Sequence, residues 1–116
     1  MSKIYNRILH DLKKTDGVKM IALGSRDGFL ISEQANEDTE MLTTMAATML
    51  RAAENVTSKL ENVSANRVIV DFTGGKLIAA SAGQKALISV MATGDASIDA
   101  IISELERTSG RIKDIL

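Results

Sequence analysis

Hydrophobic and polar positions divide the chain into eight segments. After Ser2, which can cap a first turn, Ile4, Ile8, Leu9 and Leu12 recur at helical spacing and predict a helix to about Lys14. Thr15-Asp16-Gly17 ends it, and Val18 to Gly24 reads as a strand. Ser25-Arg26-Asp27-Gly28 is a turn with an Asp-Gly hairpin pair, and Phe29 to Ser32 reads as a short second strand. Asn36 to Glu40 opens the longest helix, with Asp38 the expected cap and Glu37 and Glu40 at the positive end of the helix dipole. That helix runs to about Asn62. Three strands follow: Arg67 to Phe72, Lys76 to Ala82 and Ala86 to Ala92, joined at Thr73-Gly74-Gly75 and Gly83-Gln84-Lys85. Asp95 or Ser97 caps a last helix with Ile98, Ile101, Ile102, Leu105, Ile112 and Ile115 in phase. Gly110 interrupts it, at about 1 kcal/mol relative to alanine, and either kinks it or ends it early.

Tight turns between strands imply antiparallel pairing. The first strand is apolar on both faces, with Val18, Met20 and Ala22 on one side and Ile21 and Leu23 on the other, so it must be covered twice. These features predict one α+β domain over residues 1–116, a central sheet with helices on both faces. On the long helix, Met41, Leu42, Met45, Ala46, Met49, Leu50, Ala53, Val56 and Leu60 fill about half the circumference and are expected to lie on the sheet. Met20 and Met91 are read with Met41, Met45 and Met49 as core packing. The other side of the helix carries few charges. Thr44, Ala47, Thr48, Arg51, Asn55 and Ser58 form a stripe at i, i+3, i+4 spacing that would admit a second helix. Arg67 to Phe72 has no proline or lysine guard, so at a sheet edge it would be an open template for another strand. A two-fold homodimer would cover both features, with Arg67, Ile69 and Asp71 in or beside the paired edge.

Composition narrows the function. The chain has 116 residues, 45% of them hydrophobic, a formal net charge of -1, and no cysteine or proline. Disulfides, thiolate metal sites and cysteine nucleophiles are excluded. There is no basic block to follow a phosphate backbone, and the three aromatic residues, Tyr5, Phe29 and Phe72, are too few for base stacking. Nucleic acid is therefore not an expected partner, and no stretch reaches the ~20 apolar residues of a membrane span. The first fourteen residues do not resemble a signal peptide, and the expected location is the cytoplasm.

No catalytic constellation stands out. Gly74-Gly75-Lys76 is followed by Leu77 where a P-loop needs Ser or Thr, and G-x-G-x-x-G is absent. His10 is a lone histidine, so neither a triad nor a histidine metal cluster can be assembled. Glu37, Asp38 and Glu40 are accounted for by helix capping. The sequence implies no enzyme, cofactor or metal.

Three phrases in order carry a family resemblance: GVKMIALGSRDGFLIS (17–32), MLTTMAATMLRAAENV (41–56) and GGKLIAASAGQKALISVMA (74–92), followed by an amphipathic last helix. Together they resemble the roadblock / dynein-light-chain domain family, and the stand-alone prokaryotic members in particular. The resemblance implies a profilin-like, longin-like fold. Its five-stranded antiparallel sheet would have the order 2-1-5-4-3, with the first and last helices on one face and the long helix on the other. It further implies dimers joined through the third strand and the long helices. It implies non-enzymatic adaptors and scaffolds, including regulators of Ras-like small GTPases. If such a protein donated an arginine finger, Arg51 or Arg26 would supply it. The expected function is thus a homodimeric adaptor that binds a small GTPase or another protein. The alternative is a small-molecule sensor with a pocket between sheet and helix, where Ser81 and Ser89 are the polar exceptions.

Overall fold

A computed structural model describes residues 2–31 and 36–116, without the side chains of Ser2 and Lys3. The elements are α1 (Ser2–Lys13), β1 (Val18–Ser25), α2 (Glu37–Glu61), β2 (Arg67–Phe72), β3 (Gly75–Ser81), β4 (Ala86–Thr93) and α3 (Ile98–Ile115). The capping role expected of Ser2 and the end of the second predicted strand at Ser32 lie outside what is described.

The sheet is antiparallel with the order β1-β4-β3-β2. Among the described residues it has four strands where the resemblance implies five. The second predicted strand reduces to one bridge, Gly24 to Leu30, flanked by Ser25 N–H donating to the Phe29 carbonyl and Ile31 N–H to the Leu23 carbonyl, each at 2.8 Å. The turn at Asp27-Gly28 does fold this segment back onto β1, at the place in the strand order where it was expected. Gly28 takes a positive φ of 97° there, and among the described residues the pairing amounts to that one bridge.

Side-chain alternation along the strands builds two layers. On one face Leu23, Ile78, Ala80, Ile88 and Val90 meet Tyr5, Ile8, Leu9 and Leu12 of α1 and Ile101, Leu105 and Ile112 of α3. On the other, Ala79 and Leu87 meet Ala46, Ala47 and Leu50 of α2. The first and last helices therefore share a face and the long helix takes the opposite one, as the resemblance implies.

Helix ends differ in detail from the expectation. Asn36, not Asp38, caps α2: its φ of −144° and ψ of 171° are extended, and its Oδ1 accepts from Thr39 N–H at 2.9 Å. Thr39 Oγ1 accepts in return from Asn36 N–H at 3.1 Å, closing a capping box that Asp38, already within the first turn, cannot form. Asn62 ends the helix with left-handed φ 59° and ψ 37°. Ser97 caps α3, and that helix continues through Gly110 to Ile115.

Candidate interaction surface

The sheet-facing side of α2 is made of small residues. Thr39, Leu42, Thr43, Ala46, Ala47 and Leu50 are its buried positions. Thr43 can be buried because its Oγ1 donates to the Thr39 carbonyl at 2.8 Å, which satisfies the hydroxyl within the helix. The approach is tight: a Cβ on Gly24 of β1 would lie 2.2 Å from Thr43 Cγ2. Apart from Leu42 and Leu50, the larger apolar side chains of α2 stay exposed or half-buried.

This corrects the phase expected for the helix. Met41 is 63% exposed, Met45 53%, Val56 55% and Leu60 77%, although all four were expected on the sheet. Met49 and Ala53 are half-buried beside the core. The exposed apolar stripe runs along α2, and no described element of the chain lies over it. Ala47, expected in the outward stripe, is 3% exposed and lies against the sheet. Thr44, Thr48, Arg51, Asn55 and Ser58 are exposed as expected, along the flank of α2 on the other side of the outward methionines. Thr44 Oγ1 also reaches the Gly28 carbonyl at 3.3 Å, tying the helix to the first turn.

A second surface is the β2 edge. Among the described residues β2 pairs only with β3, which leaves its other side open. Ile69, Asp71 and Phe72 are exposed, and Arg67 is half-buried, its Nη2 donating to Glu106 Oε1 of α3 at 3.0 Å. In register, Arg67 lies opposite Ala80 and Ile69 opposite Ile78, both on the α1/α3 side. Val68 packs under α2. The expected interface residues thus fall on two faces: Thr44 to Ser58 above the α2 side, Arg67, Ile69 and Asp71 on the α1/α3 side. Only the open backbone edge of β2 joins them.

Two further features were missed by the sequence reading. Met20, Met91, Leu77 and Val70 are directly opposed across all four strands and are each half-buried. By alternation they lie on the α2 side of the sheet, near the end away from the α2 contacts of Ala79 and Leu87. Arg26 is also structural. Its guanidinium pairs with Glu54 of α2 and donates to Ser81 Oγ at 2.9 Å and the Gly83 carbonyl at 3.3 Å. It lines an open polar cleft of about 430 Å³ with Glu54, Asn66, Gln84 and Lys113. Occupied in this way, Arg26 is not free to reach a partner's nucleotide; Arg51 is exposed. His10 is exposed on α1, and among the described residues no group of three or more His, Cys, Asp or Glu is placed to hold a metal ion. Ser89 lies fully buried between sheet and α2, and its Oγ has no hydrogen-bond partner. Among the described residues no helix is long and apolar enough to cross a membrane.

The profile of the Roadblock/LC7 domain matches residues 4–92. The chain belongs to the Roadblock/LC7 domain family. An uncharacterised protein of Methanocaldococcus jannaschii is 27% identical over 115 residues, covering 97% of each chain. Among solved structures, a Roadblock/LC7 domain from Streptomyces avermitilis superposes with a TM-score of 0.86 at 15% identity, covering 95% of each chain. MglB of Myxococcus xanthus gives 0.83 at 17% identity, covering 97% of this chain and 94% of that one. Profilin II of Acanthamoeba castellanii gives 0.67 at 13% identity, with 95% and 96% covered, which extends the likeness of fold to profilins. Roadblock/LC7 domains are known as non-enzymatic regulators, and membership of the family supports a regulator or adaptor kind for this chain.

Proposed function

We propose that this protein is a homodimeric, non-enzymatic adaptor that binds a Ras-like small GTPase on the surface formed by two α2 helices. The observation that carries this reading is the exposed stripe Met41, Met45, Val56 and Leu60 on the outer side of α2. In a lone chain those side chains stand in water, where a scattered apolar residue is ordinary but a stripe along a whole helix marks a contact. The open β2 edge beside it supports a symmetric partner, because closing an unpaired edge and covering a helix stripe are both met by one two-fold dimer. The Roadblock/LC7 family supports a regulatory role. A structure described as MglB with a tetrameric arrangement, at a TM-score of 0.86, supports self-association of this fold. Exposed methionines suit a surface that must fit a mobile switch region, since the thioether chain adapts its shape.

The test combines solution mass with binding. Light scattering of the purified chain is expected to give the mass of two copies. A purified Ras-like GTPase from the same genome is expected to bind the dimer with different affinity when loaded with GDP and with a non-hydrolysable GTP analogue. A chain that stays at the mass of one copy up to high concentration would count against the dimer. Equal absence of binding in both nucleotide states, across the small GTPases of that genome, would count against the partner.

A further inference from the structure

The open edge carries information about how a second copy would sit on it. Ser81 N–H donates to the Asn66 carbonyl at 2.9 Å, continuing the β2–β3 register in which Arg67 faces Ala80 and Phe72 faces Gly75. In an antiparallel ladder, positions that exchange main-chain hydrogen bonds alternate with positions that do not. Residues 66, 68, 70 and 72 therefore turn N–H and C=O toward β3. Arg67, Ile69 and Asp71 turn theirs to the open side. A second β2 can be met only by setting these outward positions against one another.

The side chains then choose among the two-fold registers, which run from Arg67 on Arg67 to Asp71 on Asp71. The two extremes put like charges directly opposite, which is destabilising. Setting Arg67 or Asp71 against Ile69 leaves each charge facing an apolar side chain or the end of the strand. Centring the pair on Ile69 removes both faults. Arg67 of each copy then faces Asp71 of the other, and all three outward residues exchange both their main-chain bonds.

We propose that two copies join β2 in this one register, with Ile69 against its own counterpart on the two-fold axis and the Arg67–Asp71 pair formed twice. The inference rests on the homodimer reading above. Arg67, Ile69 and Asp71 share the α1/α3 face of the sheet, so the opposed charges project to the same side, with Cβ atoms about 5 Å apart. Arg67 has the donors to keep Glu106 and accept the partner's Asp71, since a guanidinium carries five N–H groups. Asp71 is exposed, and no ion pair holds it among the described residues. On the other face the same register sets Val68 against Val70, a β-branched pair suited to the closer, non-hydrogen-bonded positions. Read from Arg67 to Asp71, the strand is complementary to itself in reverse: Arg, Val, Ile, Val, Asp.

Charge reversal tests the register directly, because each single change creates repulsion in both copies of the pair while a mixture cures it. R67D alone sets Asp against Asp71, and D71R alone sets Arg against Arg67. Each is expected to raise the dimer dissociation constant by about tenfold. An equimolar mixture of the two is expected to form a one-to-one heterodimer at the parent's affinity, and the double variant R67D/D71R to homodimerise like the parent. Since R67D also loses the contact with Glu106, melting curves of both variants accompany the masses. If R67D is poorly folded, D71R must still weaken the dimer, and D71N, which removes the charge without creating a repulsion, must weaken it less. Single variants that dimerise as tightly as the parent, or a mixture that stays dissociated, would overturn the register while leaving the dimer intact. A parent chain that is itself a monomer would overturn the homodimer reading and this inference with it.

Discussion

The two sides of α2 differ in size more than in polarity. The side against the sheet is built from two alanines, two threonines and two leucines, and reaches Gly24 of β1 closely. The outward side carries methionine, valine and leucine. Packing distance explains the arrangement. A helix lying close on a flat sheet can hold only small side chains beneath it, so its larger apolar groups stay outside. An interior of small residues gives rigid, short-range contact, and an exterior of large flexible ones gives adaptable area for a partner. In this helix, being hydrophobic does not mean being inside.

The sharpest way to break the comparison is to place the same charge on each side. Ala47→Glu puts a carboxylate into the sheet contact and is expected to cost about 3–5 kcal/mol, because a buried unpaired charge has no compensation. Much of the stability of a small domain would be lost, and chemical denaturation would show it. Val56→Glu, one face away, is expected to leave the denaturation midpoint near that of the parent. If the proposed dimer forms, the change is expected to weaken it on the order of a hundredfold, as a valine of each copy that the dimer would cover is replaced. Light scattering against concentration measures it. If Val56→Glu melted the fold and Ala47→Glu only dissociated the dimer, the assignment of the two sides would be reversed.

Smaller changes sharpen the inner side alone. Arg26→Ala removes the partner of Glu54 and the donor to Ser81 and Gly83 where α2 meets the β3–β4 turn. It is expected to cost about 1–3 kcal/mol, seen as a lower melting temperature with the dimer mass unchanged. Ser89→Ala should act in the opposite direction. The Ser89 hydroxyl is buried without a partner, so its removal is expected to stabilise the fold by roughly 1 kcal/mol in denaturant titration.

Much of this architecture is legible in the pattern of residues. β2 begins and ends at the expected Arg67 and Phe72, α2 ends within a residue of the expected Asn62, and Ser97 is one of the two expected caps. Turn chemistry and period-2 runs suffice there, because local rules and the tertiary fold agree. The phase of α2 is where they part. Averaging all apolar positions weights Met41, Met45, Val56 and Leu60 equally with Leu42 and Ala46. That average is rotated by roughly 80° from the side that is buried, at 100° per residue. The signal that would have corrected it is the set Thr39, Thr43, Ala46 and Ala47, small residues in phase that permit close approach, with Thr43 against the glycine at position 24. The structural role of Arg26, a candidate finger in the sequence, was invisible for another reason. Its partners Glu54, Ser81 and Gly83 are distant in sequence, and no spacing rule links them. The two faces of the interface were likewise hidden, since only the strand register shows that Arg67, Ile69 and Asp71 lie opposite the helix stripe.

The strand order also sets a timetable for synthesis. β1 is finished at Ser25, but its neighbour in the sheet is β4, which begins at Ala86. At about 5–20 residues per second, a ribosome takes several seconds to cover that stretch, during which β1 has no strand beside it except its own short return at Leu30. β2, β3 and β4, in contrast, follow one another through tight turns and can pair as soon as each emerges. The edge left for a partner therefore belongs to the part of the sheet that the chain can assemble without waiting, and the first strand made is the last to be enclosed.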